Sequence, residues 1–185
     1  MKREEVKKLM YRRFIEPTKL KKDVFVGVEL ELPIINLNKT AVDFKLVHEL
    51  TVKFKNHFHF KVKARDENGV IYALEDPVTG DIYTFDCSYN NLEISFGKEK
   101  NLYRVKKRFE EYYKFIQDVL NKENHTLTGL GINPYRKYNK RLPIPNGRYR
   151  MLYHHLCLYK KYDDEISFHD APEFGMFTSA SQTHV

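Results

Sequence analysis

The sequence has no tryptophan and only two cysteines, Cys87 and Cys157, which lie far apart and form no CxxC pair. That excludes a disulfide framework and a zinc knuckle as organising devices, and leaves both thiols as buried or incidental groups. No apolar run approaches the roughly 18 residues that span a bilayer, and the opening Met1-Lys2-Arg3-Glu4-Glu5-Val6 lacks the apolar core of a signal peptide. A cytoplasmic, non-membrane protein is therefore expected. Internal repeats, low-complexity tracts and an interdomain linker are also missing, so residues 1–185 read as one domain. There is no nucleophile elbow, no phosphate-binding Walker loop and no Cys/His pair, so covalent catalysis by a side chain has no candidate.

What is present is apolar and aromatic. Hydrophobic residues make up 42% and aromatics 14%, including 13 Tyr and 13 Phe, too much for a disordered chain. The net charge of +7 and pI near 9.2 suit a polyanionic partner such as a nucleotide phosphate. The positive charge is dispersed over Lys2 to Arg13, Lys19 to Lys22, Lys98 to Arg108 and Arg136 to Arg150, and partly on solvated helix faces. Nucleic acid is accordingly a weaker reading.

Hydrophobic spacing divides the chain. Val6, Leu9, Met10 and Phe14 recur at helical intervals over residues 2–15, closed by Pro17. From Asp23 to Pro33 the period becomes two, with Phe25, Gly27, Glu29 and Glu31 on one face and Val26, Val28, Leu30 and Leu32 on the other. Residues 40–56 return to helical spacing. Short strands follow over 58–66, 70–75, 81–86 and 92–97, separated by turn-rich stretches that predict an antiparallel meander. Leu102, Val105, Phe109, Tyr112, Ile116 and Val119 mark a long helix over 99–121. Gly129 to Gly147 reads as a loop, Arg148 to Lys161 as a short helix, and Phe174 to Val185 as an extended Ser/Thr-rich segment. The fold class is α+β.

The chemistry concentrates in acids. Glu29 and Glu31, two apart on a strand, are neighbours on one face, and the apolar residues flanking them argue for an interior strand where paired carboxylates need cations. If Ser88 to Asn91 turn the chain, Asp86 falls opposite Glu93, Phe85 opposite Ile94 and Tyr83 opposite Phe96. Opposed like charges destabilise a sheet unless neutralised, and Mg2+ is the usual hard cation for oxygen ligands. Near the end, alternation puts Gln182 and His184 on one face, and an imidazole can complete a shell of carboxylates. The other seven histidines have no ligand spacing.

Val26-Gly27-Val28-Glu29-Leu30-Glu31-Leu32, Asp86 with Leu92-Glu93-Ile94-Ser95-Phe96, Gly131-Ile132-Asn133-Pro134, Pro145 to Met151 and Thr178 to His184 occur in an order that resembles the glutamate-cysteine ligase family across nearly the whole chain. The resemblance implies a glutamine-synthetase-like architecture, a curved antiparallel sheet with helices packed on one side, and a cluster of Mg2+ ions, with Mn2+ as an alternative. On it, Glu29, Glu31, Asp86, Glu93 and His184 are the metal-binding positions, while Arg148, Arg150 and Gln182 contact substrate. It implies ATP-dependent activation of the glutamate γ-carboxylate as an acyl phosphate, then attack by the amine of cysteine. The family continues well past the histidine where this chain stops, so an incomplete site, inactive alone, is the accompanying expectation. Two alternatives remain open from the residues: a carboxylate-amine ligase using another amine, and a non-catalytic basic domain that binds nucleic acid.

Overall fold

The computed structural model describes residues 2–20, 23–158 and 173–184. An eleven-residue strand, β1 (Val26–Asn36), runs through the middle of a sheet completed by β2 (Lys61–Arg65), β3 (Ile71–Glu75), β4 (Ile82–Phe85), β5 (Asn91–Glu99), β6 (His125–Leu127) and β7 (Ser181–His184). All neighbours are antiparallel, in the order β2-β3-β4-β5-β1-β6, with β7 also on β1. β1 is long enough to serve two partners on one edge: β7 pairs with Gly27 to Leu30, and β6 with Ile34 to Asn36. The interior position inferred from its flanking apolar residues is correct.

Alternation then divides the sheet into two unlike faces. Leu32, Leu74, Tyr83, Phe85, Leu92, Ile94 and Phe96 are buried in one core with α2 (Phe44–His57) and α3 (Leu102–Leu120). Asp43 and Asn101 cap these two helices by accepting hydrogen bonds from Lys45 and Tyr103. Phe54, fully buried, packs edge-on or tilted against Phe60, Tyr83 and Tyr112, so the aromatic richness of the sequence is spent in this layer. The opposite face of the sheet carries the acids.

Behind β5 the chain is held by a buried carboxylate. Asp81, with no exposed surface, accepts hydrogen bonds from Gly97 N (2.8 Å) and Tyr112 Oη (3.0 Å) and forms an ion pair with Arg108 Nε (2.7 Å). Gly97 is needed there because a Cβ would sit 1.9 Å from the carbonyl oxygen of Thr79. Gly97→Ala is expected to cost about 1–3 kcal/mol, as overpacking against rigid backbone does, and a urea titration measures it.

The meander and the long helix lie where periodicity predicted them, within a few residues, whereas the segment expected to be extended from Phe174 begins with a tight turn over Phe174–Met176 and is a strand over Ser181–His184. At the N-terminus, α1 (Arg3–Met10) passes into a wider turn over Tyr11–Ile15 and a tight turn over Glu16–Leu20. The wider-turn helix ends at Ile15, two residues before Pro17, and Pro17 takes the second position of the tight turn, where an N–H would have no partner within that turn. The predicted apolar stripe of Val6, Leu9, Met10 and Phe14 is exposed. Gly129 to Gly147 is more built than a free loop: Asn133 and Ile144 have no exposed surface, and Asn133 Nδ2 donates to Ile34 O (3.1 Å). A fourth α-helix among the described residues, α4, spans Gly147–Leu158, and the predicted continuation to Lys161 lies outside them. No helix among the described residues is long and apolar enough to cross a membrane.

Candidate functional site

The site begins with β1. Because its even-numbered residues enter the core, Glu29 and Glu31 emerge together on the opposite face, where Glu29 stands between Ser95 of β5 and Gln182 of β7, and Glu31 is directly opposite Glu93. On the other side of β5, Glu93 faces Thr84. The register is two residues from the expected one: Phe85 pairs with Leu92 and Tyr83 with Ile94, and Asp86 N donates to Asn91 O (3.1 Å). A tighter loop causes the slip. Cys87 adopts φ +56°, and Asn91 N donates to Ser88 O, so four residues close the hairpin. A slip of two keeps every side chain on its face, and the acids stay together.

Glu29, Glu31, Asp86 and Glu93 line one cavity of about 560 Å3 with Arg148, Gln182, Lys63, Thr84, Ser95, Tyr72, Tyr149, Ala64, Ala73 and Ile82. Its floor is open because Ala64, Ala73, Thr84 and Ser95 are small. A second cavity, of about 510 Å3 beside α2 and α3, has Asp43, Glu49 and Glu123 interspersed with Lys45, Lys53 and Lys122, the ordinary pattern of a solvated surface.

Two of the grouped acids are perturbed, Glu93 and Glu31. Burial raises Glu93 above the ordinary 4.5, and the charges of Asp86, Glu29 and Glu31 raise it further, against a hydrogen bond from Ser95 Oγ (2.7 Å). Glu31 is raised by burial and by Asp86, against a hydrogen bond donated by Ala180 N (2.9 Å). Such repulsion is what a cation relieves. The donor set fits Mg2+ or Mn2+, which take hard carboxylate oxygens. In the present side-chain arrangement no three His, Cys, Asp or Glu groups among the described residues close around one point.

His184 lies opposite Gly27, with Nε2 3.6 Å from Glu29 Oε2, beside the acids but not in the cavity wall. Arg148 is in the wall. Arg150, expected to contact substrate, instead forms a two-pronged pair with Glu67 (Nη2 to Oε1, 2.8 Å) at the turn between β2 and β3. On a helix, residues two apart face different ways, so only one of the two arginines reaches the cavity. Cys87 holds its thiol against Asp86 Oδ1 (3.5 Å), and burial together with that charge pushes it up to about 12. It stays protonated and is no nucleophile.

No protein-family model and no curated protein matches this sequence. The site therefore rests on its own geometry. Sequence reasoning missed Thr84 and Ser95, although each lies two residues from a chosen acid and so shares its face. Lys63, Tyr72 and Tyr149 gave no such signal, since their arrival depends on packing between separate elements.

Proposed function

We propose that this chain supplies the cation-binding wall of an ATP-dependent ligase that joins the glutamate side-chain carboxylate to an amine, with cysteine as the acceptor. One observation carries the reading: Glu29, Glu31, Asp86 and Glu93, drawn from β1, β5 and the hairpin that joins β4 to β5, share one cavity with Arg148 and Gln182. A structural sheet face has no reason to group four carboxylates at the cost of raised pKa values at Glu31 and Glu93. An antiparallel sheet with helices on one face and acids on the other also suits the glutamine-synthetase-like architecture, which we extend to this chain as part of the proposal.

In this reading the four carboxylates, with His184 beside Glu29, would hold Mg2+ or Mn2+. The bound cation supplies charge neutralisation for nucleotide phosphates as phosphoryl transfer proceeds. The chain's own groups bind and orient. Arg148 offers a planar fork to carboxylate or phosphate oxygens. The Gln182 amide, next to Glu29, provides a neutral donor and acceptor for the amino acid. Glutamate's γ-carboxylate attacks the terminal phosphorus of ATP and ADP departs; the amine then attacks the acyl carbon and phosphate leaves. Positioning is the main contribution of the protein, and no covalent enzyme intermediate forms.

The test is ADP release with glutamate and each amino acid in turn, using a protein that contains this chain. Turnover that rises at least tenfold on adding cysteine supports the acceptor; equal turnover with any amine reassigns it; no glutamate dependence overturns the ligase reading.

A further inference from the structure

The cavity has a cationic side that the acids do not explain. In β2, Val62 faces Leu74, Ala64 faces Ala73 and Arg65 faces Ile71, so the pairing shifts before Ala64 and shifts back after it. Val62 is level with Leu74 of the core, so alternation along β2 places Lys63 on the acidic face, in the row of Ala73, Thr84 and Glu93. The irregularity brings Ala64 to the same side, and both residues line the cavity.

The Lys63 side chain is available. Lys63 Nζ pairs with Glu75 Oε1 at 3.0 Å, but the two side chains remain 41% and 46% exposed, a pairing weak enough to exchange for a better anion. Across the small floor formed by Ala64 and Ala73 stand Glu93 and Glu31. Lys63 and Arg148 are the cationic residues of the lining, so the cavity has an acidic pole and a basic one.

We propose that Lys63, which strand alternation places in the cavity wall, binds an oxyanion of the bound substrate, a carboxylate or a phosphate. This rests on the ligase reading, in which the acidic pole takes a cation and the substrates are a dicarboxylic amino acid and a nucleoside triphosphate. Lys63 then spans the gap that separates a cation-bound substrate from the outer wall. The role is substrate binding, and Lys63 takes no part in bond making.

Calorimetric titration of the whole chain with Mn2+ alone, with L-glutamate and with ATP, the last two both with and without Mn2+, tests this in wild type, Lys63→Ala, Lys63→Arg and Glu75→Gln. The expected result is that Lys63→Ala keeps wild-type Mn2+ affinity and loses about tenfold or more for one anion. Lys63→Arg restores most of it, and Glu75→Gln leaves it equal or tighter. The anion affected separates a carboxylate site from a phosphate site. Wild-type affinity for both anions in Lys63→Ala, or no measurable binding of either by wild type, overturns the proposal. Failure of Mn2+ to bind wild type overturns the cation reading instead, and the titrations without Mn2+ still judge Lys63.

Discussion

Saturating Mn2+ or Mg2+ at pH 7.5 is expected to stabilise the folded chain by about 2.7 kcal/mol at a hundred times the dissociation constant, and Glu93→Ala or Glu31→Ala is expected to abolish that response. For a chain of this size the gain corresponds to a rise of roughly 5–10 °C in Tm. Proton and cation binding to these carboxylates are linked to folding. Glu31 and Glu93 have folded-state pKa values above the ordinary 4.5, so the folded chain holds these protons more tightly than the unfolded one. Their contribution to stability is fully present below 4.5 and is lost as pH rises through the raised values. Above that window the cation-free protein carries repelling carboxylates, and the cation offsets the loss. The gap between melting curves with and without cation should therefore widen from pH 5 to pH 7.5, because protons compete for the same oxygens. Glu93→Gln, which removes one charge and keeps the shape, should raise cation-free stability at pH 7.5 by up to about 1 kcal/mol while losing the response. Identical melting with and without millimolar Mn2+ at pH 7.5 would sink the assignment.

Asp81→Ala is expected to cost about 3–5 kcal/mol, a large part of the 5–15 kcal/mol that holds such a domain. The carboxylate has no exposed surface and serves Gly97 N, Tyr112 Oη and Arg108 Nε at once. Its removal leaves Tyr112, 4% exposed, without its hydrogen-bond acceptor, and Arg108, 18% exposed, with Glu99 as its remaining acid. Burial and the neighbouring charge of Asp81 raise the Tyr112 hydroxyl, so that hydroxyl remains a donor across the physiological range. Asp81→Asn retains an oxygen for Gly97 and should lose less. Urea denaturation at pH 7 compares the two; a loss below about 1 kcal/mol for the alanine variant would show that the cluster tolerates its absence. The cluster anchors the end of β5, the strand that carries Glu93, to α3.

How much of this was legible in the sequence differs from residue to residue. Strand periodicity is local, so the pairing of Glu29 with Glu31 and the entry of Leu30 and Leu32 into the core could be read directly. Asp86 and Glu93 were assigned to the correct face with a register two residues out, because face depends on parity while register depends on a loop whose backbone turns at Cys87. Gln182 and His184 could be placed together, but their docking on β1 beside Glu29 is a contact between residues some 150 positions apart. Arg148 and Arg150 looked equivalent until Glu67 claimed one of them.

By itself, then, the sequence determined the alternation of apolar and acidic residues along β1 and β5, the helical stripes that cover the apolar face, and the acidic character of the other. Those properties follow from dihedral preferences and the hydrophobic effect acting over a few residues. Only the tertiary structure decided that the acids of β1, β5 and the β4 hairpin share one cavity, that Lys63 of β2 joins them there, and that Arg150 stays out. Each of those outcomes requires distant segments to meet, and a competing ion pair of modest energy is enough to hold a side chain such as Arg150 away from the site.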